Sequence, residues 1–177
     1  LARNAALASE AEAGPREAAL AALAELSGCA WNLHDLWLHG ETHRALVAAA
    51  AGGGGGARAR AYAMEALTNI AFSRKGMDAL WHDEDVRRDI VAATGRDADD
   101  EVARAFSLAT LELLSLRSSN RQLIWADGSV RDGLVRAARS RAEEGGQGAQ
   151  RSRLFSLCAL RNLARESANR RTMWEDA

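Results

Sequence analysis

Three histidines crowd one short stretch of the chain: His34, His39 and His43. His39 and His43 have the i, i+4 spacing at which one helix face can offer two imidazoles to a metal. Gly40 interrupts that face, and no cysteine or carboxylate completes a matched set, so no metal site is expected. His39 also falls where other parts of the chain carry aspartate, which points to a turn role. Cys29 and Cys158 lie far apart and read as free thiols in a reducing compartment. Neither has the basic neighbour that activates a nucleophilic thiol. Carboxylates are abundant but dispersed, so no acid–base pair can be named. Arg87/Arg88 and Arg170/Arg171 read as solvated charge or interhelical pairing, with an acidic partner as the lesser option. The glycine run Gly52 to Gly56 is followed by neither a strand nor Gly-Lys-Ser/Thr, so it reads as a mobile spacer and not a phosphate cradle. These residues predict no catalytic group, no cofactor and no metal, hence no enzyme.

What must position these side chains is a repeat. Trp37, Trp81, Trp125 and Trp174 follow one another at steps of 44 (37 to 81), 44 (81 to 125) and 49 (125 to 174). Aligning the chain on them exposes further columns. Twenty-one residues back stand Arg16, Arg60, Arg104 and Arg153; seventeen back, Leu20, Met64, Leu108 and Leu157. Fourteen back stand Leu23, Leu67, Leu111 and Leu160; eleven back, Leu26, Ile70, Leu114 and Leu163. Ten residues after the tryptophan come Val47, Val91 and Val135. A period in this range is the mark of a repeat array.

Composition agrees. The 177 residues are 47% hydrophobic, much of it alanine, with a single proline, Pro15. That favours an all-helical chain, because alanine has the highest helix propensity and β-branched runs are few. A formal net charge of −1 gives no general attraction for nucleic acid or anionic membrane. No apolar run is long enough to suggest a membrane span, and no secretory leader is visible. An intracellular protein, cytoplasmic or nuclear, is expected.

Each unit reads as helices in fixed order. The long one precedes the tryptophan, as in Arg60 to Phe72 and Arg153 to Glu166, with its core face at the columns 17, 14 and 11 residues back. A polar break follows, in which Asn120 and Asn169 share a column and suit an N-cap. A short helix then carries the tryptophan. Asp83, Asp127 and Asp176, two residues on, predict a cap or turn before a further helix. Loops are expected at Gly52 to Gly56, Asp97 to Asp100 and Glu144 to Gln150. The units are thus 16–56, 57–100, 101–149 and an incomplete 150–177, in one continuous domain. Residues 1–15 read as the end of a preceding unit or a capping helix, and the whole as a piece of a longer array.

The unit resembles the armadillo repeat. The endings Leu67 to Ala71 (LTNIA) and Leu160 to Ala164 (LRNLA) look like the Asn-Leu/Ile-Ala close of that family's third helix. The stretches NRQLIW and NRRTMW look like its first helix, and a HEAT-like array fits the same unit size. The resemblance covers about Arg16 to Ala177. It departs where Glu25 and Leu113 replace the family asparagine and a tryptophan-then-aspartate junction replaces its glycine. Glu65 and Cys158 stand where importin-like members carry tryptophan, so recognition of nuclear-localisation signals is not expected. The resemblance implies an all-α, right-handed α-solenoid of about four three-helix repeats, whose third helices line a concave surface.

Columns 19, 16, 12 and 9 residues before the tryptophan share one face of that helix. They comprise Tyr62, Glu65, Asn69 and Phe72; Phe106, Ala109, Leu113 and Leu116; Phe155, Cys158, Asn162 and Arg165; and, nearly featureless, Ala18, Ala21, Glu25 and Gly28. The functional expectation is a scaffold that receives a protein partner, as a helix or extended segment, with aromatic anchors and with Asn69 and Asn162 bonding its backbone. The competing expectations are that Tyr62, Phe106 and Phe155 form an inter-repeat core, and that the chain is a spacer or wall in a larger assembly. The tryptophans are expected to fill space inside each unit.

Overall fold

The computed structural model describes residues 2–52, 56–95, 100–140 and 146–175, with side chains from Gly14 onward. Among the described residues the chain is all-helical, with eleven helices. These are α1 (Ala2–Ser27), α2 (Leu33–Leu38), α3 (Gly40–Ala50), α4 (Gly56–Ile70), α5 (Arg74–His82), α6 (Glu84–Thr94), α7 (Glu101–Ser115), α8 (Ser118–Ala126), α9 (Gly128–Arg139), α10 (Gln147–Leu163) and α11 (Ser167–Glu175).

Their packing follows the order long, short, medium. The long helices form a row in which α1 packs on α4, α4 on α7 and α7 on α10. The medium helices form another, α3 on α6 and α6 on α9. The short helices lie between, α2 against α5 and α8 against α11. Side-chain bonds tie successive long helices together. Asn69 donates to Ser27 Oγ at 2.9 Å, Thr68 shares a hydroxyl bond of 2.8 Å with Thr110, and Asn162 donates to Ser115 Oγ at 3.1 Å.

The core columns are borne out with two corrections. Leu20, Met64 and Leu108 are buried, whereas Leu157 in the same column is 47% exposed. Ile70, Leu114 and Leu163 are buried, whereas Leu26 is 50% exposed. The two departures fall at opposite ends of the row, Leu157 on the last long helix described and Leu26 on the first. Trp81 and Trp125 are buried and Trp37 packs on the core, but Trp174 is 84% exposed, with no described element after Glu175 to cover it.

Other boundaries shift. α1 runs through Pro15, so no helix boundary falls after residue 15. α10 begins at Gln147, inside the stretch expected to be a loop, and α4 begins at Gly56. Gly52 and Gly56 have positive φ of 93° and 67°, the region glycine adopts without steric cost. Of the stretches named above as loop, residues 53–55, 97–99 and 144–145 lie outside the described residues, as does Asp176.

The aspartates of this column cap where they are described, and His39, expected in a turn, caps as well. Asp83 accepts from Val86 N at 3.0 Å, Asp127 from Ser129 N at 3.0 Å and Val130 N at 3.2 Å, and His39 from Thr42 N at 3.4 Å. The asparagines act differently from expectation. Asn120 and Asn169 lie inside α8 and α11, and each donates back to the carbonyl six residues earlier, Leu114 or Leu163. Asn32 does the same to Leu26 at 2.9 Å. They close the C-terminus of the long helix, whose last carbonyls have no partner within the helix. Arg121 and Arg170 add bonds to the next carbonyls, at Ser115, Leu116, Ala164 and Arg165.

Candidate functional site

The face with the strongest claim to function is the exposed side of the long-helix row. Its ten expected members divide. Tyr62, Phe106 and Phe155 are half-buried and pack on the core. Leu113 is 8% exposed and Asn162 only 1%. Asn162 spends its amide on Ser115 Oγ and the Glu112 carbonyl, so it cannot reach a partner backbone. Asn69, half-buried, has its amide on Ser27. Both amides join neighbouring long helices; burial takes Asn162 out of a partner's reach, while Asn69 stays partly open.

Phe72 at 66%, Leu116 at 42% and Arg165 are exposed. They occupy one column, just beyond the ends of α4, α7 and α10. Two further apolar residues near the end of α1, Leu26 and Trp31, are also exposed, Trp31 at 90%. Trp31 was detectable, since it is the tryptophan out of phase with the other four. A side chain off the repeat is not required by the repeat.

Charge on this face is uneven. Burial raises the Glu65 carboxyl above its ordinary range, and the charge of Glu25 adds to the effect. Burial also raises Glu112, against the opposing pull of Arg161. Two acids therefore lie at the α1–α4 end, while Arg161 and Arg165 mark the α10 end.

The histidine stretch is absorbed by the repeat. His39 caps α3. His43 meets the Trp37 ring edge-on, with centroids 4.6 Å apart, and its Nε2 lies 2.9 Å from Asp83. Arg87 and Arg131 occupy the same column as His43, six residues past a tryptophan, and stack over Trp81 and Trp125 at 5.8 and 5.6 Å. One place in the unit thus supplies a cationic or imidazole cover for the indole. Among the described residues no group of three His, Cys, Asp or Glu side chains could hold a metal ion. Cys29 is exposed, Cys158 half-buried, and both are free thiols. Among the described residues no helix is long and apolar enough to cross a membrane.

No family model, curated protein or solved structure matches the chain.

Proposed function

We propose that this chain is a non-enzymatic scaffold built as an armadillo-like right-handed α-solenoid of about four units, binding a protein segment along the face of its long helices. The observation that carries the reading is the pair Phe72 and Leu116. They are equivalent residues beyond adjacent helices, both exposed, though most apolar columns of the unit are buried. An exposed apolar row beside a half-buried floor of Tyr62, Phe106 and Phe155 offers an anchor and a pocket edge to a partner helix or extended segment. Glu65 and Arg165 set opposite charge along the row. A photo-reactive phenylalanine analogue at position 72 tests this. A partner cross-linked there should be lost on Leu116→Ser, with melting unchanged. Cross-linking that survives Leu116→Ser would remove the groove reading.

A second reading has its own support. Leu154 at 57%, Leu157 at 47% and Trp174 at 84% are exposed together on the last unit. Open apolar ends suit a spacer or wall whose neighbours in a larger assembly cover them.

A further inference from the structure

The joints between successive short helices are closed by different devices. At the start of α8, Arg117 donates through Nε and Nη2 to the two carboxylate oxygens of Asp78 on α5, both at 3.0 Å. Between α8 and α11, Trp125 Nε1 donates to Thr172 Oγ1 at 2.8 Å. Between α2 and α5 neither device can form. His34 and Ser73 hold the columns of Asp78 and Arg117, and Ala79 holds the column of Thr172. Gly76 also lacks the side chain that Asn32, Asn120 and Asn169 bring to the same place. A cavity of about 480 Å³ lies at this joint. Buried Leu33 and Ile70 and half-buried Trp37 and Ala79 form its floor, and exposed His34, Arg74 and Lys75 border it. Helices of the chain stand on both sides of it, so it is not an open end of the row.

The two cations are a further departure from the repeat. The other units carry Ala30 and Trp31, Ser118 and Ser119, or Ser167 and Ala168 in those columns. A basic pair that the repeat does not require thus stands where the repeat leaves a space. No carboxylate is among the described residues that line the cavity, and Asp78, further along α5, is held by Arg117. The stretches outside the described residues attach at the other end of the long helices. Glu17 of α1 meets Arg58 of α4 at 3.2 Å, Arg60 of α4 meets Asp100 at 2.6 Å, and Gly148 lies against Glu101. Ile70 closes the opposite end of α4, about 22 Å away.

We infer that the cavity between α2 and α5 binds a small apolar monocarboxylate, its body against Leu33, Trp37 and Ile70 and its carboxylate toward Arg74 and Lys75. The volume and the mostly apolar lining with a few charged groups are those of small-molecule sites. The apolar floor argues against a polyanion, whose desolvation it could not offset. The inference does not rest on the groove reading, because neither Phe72 nor Leu116 lines the cavity.

The test titrates naphthylacetate and octanoate into the full chain by calorimetry, with the methyl ester of naphthylacetate as the uncharged match. The acids should bind saturably and slow amide exchange across residues 33–38 and 74–79. Tighter binding of naphthylacetate assigns an aryl acid, and of octanoate an alkyl one. The ester should bind about fivefold more weakly than its acid, the scale of exposed ion pairs. Arg74→Ser with Lys75→Ser, which copies the third unit, should erase that difference and leave melting unchanged. His34→Asp with Ser73→Arg copies the closure between α5 and α8 and should abolish binding of acid and ester alike. Ala79→Leu, filling the floor from a half-buried position, gives the same readout should that pair fold poorly. Absence of saturable binding, protection away from α2 and α5, or an ester bound as well as its acid overturns the proposal. So does binding indifferent to both the closing pair and Ala79→Leu. An acetylated peptide ending in leucine that outbinds both acids also overturns it, because the occupant is then the end of a protein chain.

Discussion

Gly76→Ala sets sequence logic against packing. Five residues before the tryptophan stand Asn32, Gly76, Asn120 and Asn169, so column reasoning treats Gly76 as a lapse. In the structure Gly76 is buried at the start of α5, its amide held by Ser73 Oγ at 2.9 Å. A Cβ there would overlap the backbone carbonyl oxygen of Ile70 and come within 2.7 Å of Ser73 Oγ. Removing a helical glycine stabilises by about 1 kcal/mol. Overpacking against backbone, which no rotamer change relieves, costs up to about 3 kcal/mol. The net is a loss of up to about 2 kcal/mol, a fall in Tm that reaches about 4–8 °C for a domain of this size. Gly76→Asn should be worse than Gly76→Ala, although it restores the column. Gly128→Ala is the control: its Cβ would meet only the Arg131 guanidinium at 4.0 Å, and Tm should hold or rise. Calorimetry on the three variants decides it. A Gly76→Ala protein that melts at or above the parent would refute the close approach of the α4 end to α5.

Other expectations follow from the same geometry. Trp81→Ala should cost about 3–5 kcal/mol in denaturant unfolding, as large buried side chains do. Trp174→Ala, at 84% exposure, should leave the midpoint almost unchanged. Gly133→Ala should destabilise by crowding Thr94, and Thr94→Ala should recover most of the loss in a double-mutant cycle, since the clash belongs to the pair. Burial, with the charge of Glu25, raises the Glu65 carboxyl above its ordinary range, so its protonated form favours the fold. That contribution is complete below the ordinary glutamate range and is lost as pH rises through the raised value. Glu65→Gln should therefore stabilise the protein near neutral pH, with the advantage vanishing in acid melts.

Much of the unit could be read from the residues. The tryptophan column, the leucine faces and the Asp83 and Asp127 caps are local: helical period and capping chemistry act within a few residues, so spacing encodes them. The asparagine column was visible, but its task was not. A cap at the start of α8 and a clasp on the end of α7 require the same side chain at the same place, and only the turn between the helices decides which carbonyl it meets. The inter-helix bonds of Asn162 and Asn69 were hidden for a similar reason. Their bonds reach Ser115 and Ser27, 47 and 42 residues away, across a joint that no local pattern describes.

The sequence by itself determined that the chain is helical, where its helices recur and which side of each is apolar, because these depend on period and propensity along the chain. Tertiary structure decided which apolar residues are covered. Leu157 and Leu108 are the same residue in the same column, yet one is open and one closed, because burial belongs to the neighbour that packs on a helix. It also decided that Gly76 is required and that His43 covers an indole. Both depend on distances between segments, and a linear spacing cannot state those.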